Sequence, residues 1–232
     1  RKESSAASDV YKRQRIKGIQ FTVKQKEENM KLYYAPGTCA VACWIALEWA
    51  GADYEVEKVQ LGTDEYRKIN PLGAVPALDI GKGIVRSELA AILRYILNKY
   101  PEKDLGADES PEDKFQFDEI MAFMTGDFHP AFEALFVPAG LTTSTDEAEI
   151  DKIKQKSFEN IDKMMTHLDR LIGEGDHVYK NKKTVLDAYV YILTRWSEMT
   201  PKSWKEYPNI KRVSEAFEKD EVVKEIVKKS QE

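Results

Sequence analysis

Met30-Lys31-Leu32-Tyr33-Tyr34-Ala35-Pro36-Gly37-Thr38-Cys39 is the stretch whose reading decides the fold. The first five residues are apolar and aromatic enough for a central strand, and Ala35-Pro36-Gly37-Thr38 breaks that strand before helical spacing begins. Cys39, Ala42, Cys43, Ala46, Leu47 and Ala50 then recur at intervals of three or four, so the spacing predicts a helix with one apolar face, closed at Gly51. Cys39 falls at its N-terminus. Unpaired N–H groups and the positive end of the helix dipole stabilise an anion there, and a thiolate is such an anion. Two readings of Cys39 stand side by side: a reactive thiol with a lowered pKa, or a small buried residue, as free cysteine usually is.

Working outward, 232 residues with 42% hydrophobic and 32% charged positions suffice for two modest domains without disulfide staples. Two cysteines four residues apart are no disulfide framework, and C-x-x-x-C is not the C-x-x-C redox spacing, so a reducing, cytoplasmic compartment is expected. Residues 1–29 carry eight Lys/Arg and four Asp/Glu, leaving 27 and 36 for the rest, a body of net charge −9. The leader lacks the apolar run of a secretory signal, its acidic residues fit a mitochondrial transit peptide poorly, and residues 6–14 resemble adaptor sequence. Residues 1–29 are therefore read as a non-native or disordered leader, with Met30 as the native start. The acidic body attracts neither nucleic acid nor an anionic membrane, and no stretch is long and apolar enough to span a bilayer.

Beyond Gly51, residues 54–61 alternate as a half-buried strand, and residues 64–69 make one short helix. Asn70-Pro71-Leu72-Gly73-Ala74-Val75-Pro76-Ala77-Leu78 puts Pro76 where a strand begins, a place that favours a cis peptide. Gly81-Lys82-Gly83 turns the chain back through Ile84-Val85-Arg86. Leu89, Ile92, Leu93, Ile96 and Leu97 then line one face of a helix that Pro101 ends. A βαβ unit followed by ββα is thioredoxin-like, with a mixed four-stranded sheet and helices on its faces.

A polar linker with Gly106, Ser110 and Pro111 follows, and after it no strand is predicted. An aromatic helical segment over 115–136 is interrupted at His129-Pro130, where proline bends or breaks it. A long helix over 146–172 places Ile150, Ile153, Ile161, Met164, Met165, Leu168 and Leu171 on a buried face. Thr184-x-x-Asp187 starts another helix, with Ala188, Tyr189, Ile192, Leu193 and Trp196 on a buried stripe, and residues 209–229 form one or two charged closing helices. The chain thus divides into an α/β thioredoxin-like domain, 30–101, and an all-α helical-bundle domain, 111–232.

The turn Tyr34 to Cys39, the Asn70-Pro71…Val75-Pro76 segment and Ser87-Glu88 before Ala91-Ile92…Tyr95 together resemble the glutathione transferase family, most closely its bacterial beta class. The resemblance covers nearly everything from Met30 onward. It implies glutathione as co-substrate with no metal, a small hydrophobic electrophile or a disulfide as second partner, and a homodimer. It implies Cys39 as the sulfur partner, with His129 facing it across a cleft from the second domain. Val75 before a cis Pro76 would offer a backbone edge to the cysteinyl moiety. Glu88 would accept from the γ-glutamyl ammonium, with Leu89 where a serine would hold the γ-glutamyl carboxylate.

Tyr34 either lines the same pocket or packs in the core, and His129 alternatively packs among Phe123, Phe128 and Phe132. Val75-Pro76 serves any thioredoxin-like fold, and Glu88 equally suits a plain helix start. Thr184 and Asp187 match a cap whose role in the family is folding. His167 and His177 have no partner at ligand spacing and read as surface. Phe132 and Trp196 are candidates for the apolar pocket that selects the electrophile. Leu72, Leu89, Ala122 and Pro130 stand where the family often has polar residues, so four polar contacts are missing or moved. Two functions follow: a glutathione transferase-like enzyme that conjugates glutathione to electrophiles or exchanges thiol and disulfide through Cys39, the second being more natural for a cysteine, or a non-catalytic interaction module with an eroded glutathione site.

Overall fold

In the computed structural model, which describes residues 29–81 and 83–232, β1 (Met30–Tyr34) is an inner strand of a four-stranded sheet ordered β2-β1-β3-β4. The leader, residues 1–28, lies outside the described residues. β2 (Tyr54–Lys58) runs parallel to β1 with Leu32 opposite Val56, and β3 (Ala77–Asp79) runs antiparallel to it with Leu32 opposite Leu78. β4 (Val85–Ser87) closes the far edge, antiparallel to β3. The mixed sheet matches the reading from sequence, except that the strand expected over 54–61 stops at Lys58, and the chain then turns through Gly62 at φ 80°.

α1 (Ala40–Trp49) departs from the single apolar face that its spacing predicts, because every residue from Ala40 to Leu47 is buried. A helix apolar all round is one covered on all sides. Here β1 and α3 (Leu89–Lys99) contact it from its own domain, α7 (Val185–Thr194) and α9 (Glu221–Lys229) from the other, so one apolar core runs through both halves.

The loop before β3 is held by side chains of α2 (Asp64–Ile69) and its C-terminus: Tyr66 Oη and Asn70 Nδ2 both donate to the Ala74 carbonyl, at 2.8 and 2.7 Å. The Val75–Pro76 peptide that follows is cis, as its position implied.

Ser110 caps α4 (Pro111–Phe123), accepting from Asp113 N at 3.1 Å, with Pro111 at the first helical position. Pro130 acts as expected, since it has no N–H and its ring clashes with the preceding turn. The helix widens into a π-turn over Met124–Phe128, the His129 N–H reaches back to the Met124 carbonyl at 3.0 Å, and a 3₁₀ turn leads into α5 (Glu133–Phe136).

α6 (Glu147–Leu171) keeps only the later part of its predicted buried face: Ile161, Met165 and Leu168 are buried, while Ile150, Ile153, Met164 and Leu171 are half-buried. At α7 all ten residues are buried, and Asp187 accepts from Thr184 N at 2.6 Å and Val178 N at 2.7 Å. His177 is not the plain surface residue its loop implied, because Nδ1 lies 3.5 Å from Asp187 Oδ2 and its ring meets Phe217 edge-on at 5.6 Å. His167 is exposed. α8 (Pro208–Phe217) and α9 are the two closing helices. Among the described residues no helix is long and apolar enough to cross a membrane.

Candidate active site

A cleft of about 270 Å³ opens between the two domains. Cys39, Val75, Pro76, Glu88 and Leu89 wall it from the sheet domain, and His129 walls it from the helical domain. Six of the seven positions singled out from sequence are therefore brought together. The seventh, Tyr34, does not line the cleft; it is buried, with its ring 4.9 Å from Trp44.

Cys39 caps α1 and is 6% exposed, with Sγ donating to the Val75 carbonyl at 3.6 Å. Burial pushes its thiol up to about 12, and the nearby Glu88 carboxylate adds to the rise. Of the two readings of Cys39, this burial favours the small buried residue over a thiol activated by its helix terminus. A helix dipole contributes ~0.3–1 kcal/mol, and one pKa unit is about 1.36 kcal/mol, so the dipole offsets less than one unit. Desolvation wins, and resting Cys39 is a neutral hydrogen-bond donor at pH 7. Cys43, a turn further in, is fully buried and raised well above its ordinary value for the same reason.

Val75 gives its carbonyl to Cys39, and its N–H has no partner among the described residues. Glu88, exposed, opens α3 at φ 72° and ψ 112°, where an L-residue is strained by ~1–3 kcal/mol. No side chain caps α3, so its first N–H groups, at Leu89 and Ala90, are presented at the cleft wall.

His129 does not pack among the phenylalanines. Phe123, Phe128 and Phe132 pack on one another, whereas the ring partners of His129 are Tyr189, with Nδ1 3.2 Å from the phenol, and Trp196 at 5.0 Å. Burial lowers its pKa, which keeps the imidazole neutral at pH 7. Phe132 is fully buried and lines no part of the cleft. Trp196 is half-buried beside it and ties the domains together, Nε1 donating to the Gly37 carbonyl at 2.9 Å.

Of the residues that depart from the family pattern, Leu72 forms an exposed lip of the cleft and Leu89 part of its wall, while Ala122 and Pro130 do not line it. Thr125 and Tyr189 line it, and the sequence reading missed both as site residues. Tyr189 was legible only as one more member of a buried stripe. Its place two residues past the capping Asp187 was the available signal.

Comparison with known proteins shows the family to which this fold belongs. Residues 37–99 match the model of the glutathione S-transferase N-terminal domain, and residues 137–230 that of the C-terminal domain. Glutathione S-transferase GST-4.5 of Xanthomonas campestris pv. campestris is 31% identical over 175 residues, covering 72% of this chain and 82% of that protein. The chain belongs to the glutathione S-transferase family. A sphingomonad glutathione S-transferase solved in complex with glutathione superposes with a TM-score of 0.75 at 28% identity, over 87% of this chain and 98% of that one. The bacterial beta-class enzyme of Sphingomonas chungbukensis does so with a TM-score of 0.75 at 26% identity, over 86% and 98%. The chain is thus a glutathione transferase-like enzyme, with bacterial beta-class structures among its neighbours.

Proposed function

We propose that the cleft binds glutathione in an extended form along Val75, with its sulfur between Cys39 and His129, and transfers it to a small apolar electrophile. The observation that carries this reading is that one cleft is walled by Cys39, Val75, Glu88 and His129. The free N–H and the carbonyl of Val75 pair with the cysteinyl moiety as an added strand would. Glu88 accepts from the γ-glutamyl ammonium, and the unpaired N–H groups at the start of α3 take the γ-glutamyl carboxylate. Leu89 adds no hydroxyl, so this contact is weaker than a serine would make it.

The neutral Cys39 thiol favours conjugation over thiol–disulfide exchange. A group titrating near 12 is no nucleophile at pH 7, but its S–H donates well to a glutathione thiolate. The electrophile lies against Trp196 and Phe136, whose rings meet at 5.0 Å, Phe136 being 46% exposed. A homodimer is part of the same reading, supported by Phe115, which stands 75% exposed on α4. The two free thiols suit a reducing, cytoplasmic compartment.

Calorimetric titration with glutathione, together with conjugation of an aryl halide, tests the proposal. Saturable binding and glutathione-dependent product are expected. A folded protein that does neither is the non-catalytic interaction module instead. Sedimentation at micromolar concentration tests the dimer, and a strict monomer counts against it.

A further inference from the structure

Tyr189 lies at the back of the cleft, fully buried on α7, and the reaction as derived so far gives it no part. Its hydroxyl is 3.3 Å from the Met124 carbonyl and 3.2 Å from His129 Nδ1. A phenol has one proton and a carbonyl oxygen only accepts, so for both contacts to be hydrogen bonds at once the O–H goes to Met124 and a phenol lone pair faces Nδ1. Nδ1 must then carry the ring proton, which leaves Nε2 of the neutral imidazole as the acceptor. Nε2 has no hydrogen bond among the described residues.

The backbone reinforces this arrangement. The His129 N–H donates to the same Met124 carbonyl at 3.0 Å, five residues back, because the chain is widened into a π-turn there. A regular α-helix would pair that N–H with Thr125 and turn the ring by about 100°. Ring and backbone of His129 are thus both referred to one carbonyl, the ring through Tyr189.

We propose that Tyr189 is a positioning residue for the transfer reaction: it fixes His129 as the Nδ1–H tautomer and so aims the Nε2 lone pair at the sulfur of the bound thiol. This rests on the reading of the cleft as a glutathione site. In the step it serves, the glutathione S–H bond breaks and its proton goes to Nε2, giving an imidazolium whose Nδ1–H stays on Tyr189. The sulfur electron pair forms the C–S bond as the leaving group departs with its own pair, and the imidazolium returns its proton to water.

Long-range ¹H–¹⁵N correlation spectra distinguish the tautomers of a histidine, and His129→Gln assigns the signal among the three histidines. At neutral pH the wild type is expected to show His129 as Nδ1–H, and Tyr189→Phe to show a mixed or Nε2–H ring. The same variant should lose about tenfold in kcat, part of the ~10²–10⁴ that a positioned acid–base group supplies, with KM for glutathione within about twofold. An Nε2–H ring in the wild type overturns the proposal whether or not Tyr189→Phe folds. An unchanged kcat in a folded Tyr189→Phe overturns it as well. A wild type with the Nδ1–H ring but no calorimetric binding of glutathione sinks the glutathione reading instead.

Discussion

Cys39 and Glu88 each stand immediately before a helix that opens onto the same cleft, α1 and α3, and the chain treats them in opposite ways. Cys39 is 6% exposed in a helical conformation and is held as a thiol by desolvation. Glu88 faces solvent and is forced to φ 72°. The two helices are 10 and 11 residues long, so their dipoles are alike, and what separates the two positions is a thiol's higher ordinary pKa with burial added to it at Cys39. A helix N-terminus favours an anion by a fraction of what removing water takes away. It marks an anion site where the group can stay solvated or be paired, and otherwise it does not.

The start of α7 puts the comparison under the greatest load, because Asp187 combines the burial of Cys39 with the carboxylate of Glu88. Burial pushes its pKa up, while His177 and the N–H groups of Val178 and Thr184 pull it back. Asp187→Ala leaves those two buried donors unpaired at roughly 1–3 kcal/mol each. A loss of ~3 kcal/mol lowers the melting temperature by roughly 6–12 °C in a chain of this size. A calorimetric melt within a degree or two of wild type would show that a buried carboxylate at a helix start contributes nothing here.

Leu89→Ser sharpens the α3 side. Leu89 is buried, so truncation to a polar group costs ~2–5 kcal/mol of stability, while a hydroxyl bonded to the γ-glutamyl carboxylate adds ~1.5–3 kcal/mol to binding. Glutathione should bind about tenfold tighter to the folded fraction. A folded variant that binds no better places the γ-glutamyl group elsewhere.

Glu88→Gly separates strain from function at one position. Glycine accepts φ 72° freely, so stability should rise by ~1 kcal/mol. The lost carboxylate should weaken glutathione binding by about tenfold. If both quantities fall, the Glu88 backbone is not strained in the way the comparison requires.

Most of the fold was legible because its signals are local. Pro36-Gly37 ends β1, Pro76 enters β3, Pro130 breaks α4 and the Thr184–Asp187 box starts α7, each by backbone chemistry that a single chain displays. What was not legible depends on which surfaces the two domains bury against each other. The spacing in α1 gave a one-sided helix, but α7 and α9 cover its other side, and burial at the start of that helix raises the Cys39 thiol. Tyr189 could be placed on a buried stripe, yet its contact with His129 spans sixty residues and two helices. His177 was misread for the same reason, since its partners, Asp187 and Phe217, lie on other elements.

Whether resting Cys39 is a thiol that leaves the sulfur of glutathione as the nucleophile is tested most directly by the rate at which iodoacetamide modifies Cys39, followed by peptide mass from about pH 6 to about pH 10. The pKa is raised in the folded chain, from 9.0 to about 12. Burial of the thiol therefore contributes stability in full below about pH 9, and that contribution is lost as pH climbs toward 12. The rate should climb about tenfold per pH unit over the whole range without levelling off. A plateau at or below neutral pH would mean a resting thiolate, and would return Cys39 to the role of nucleophile.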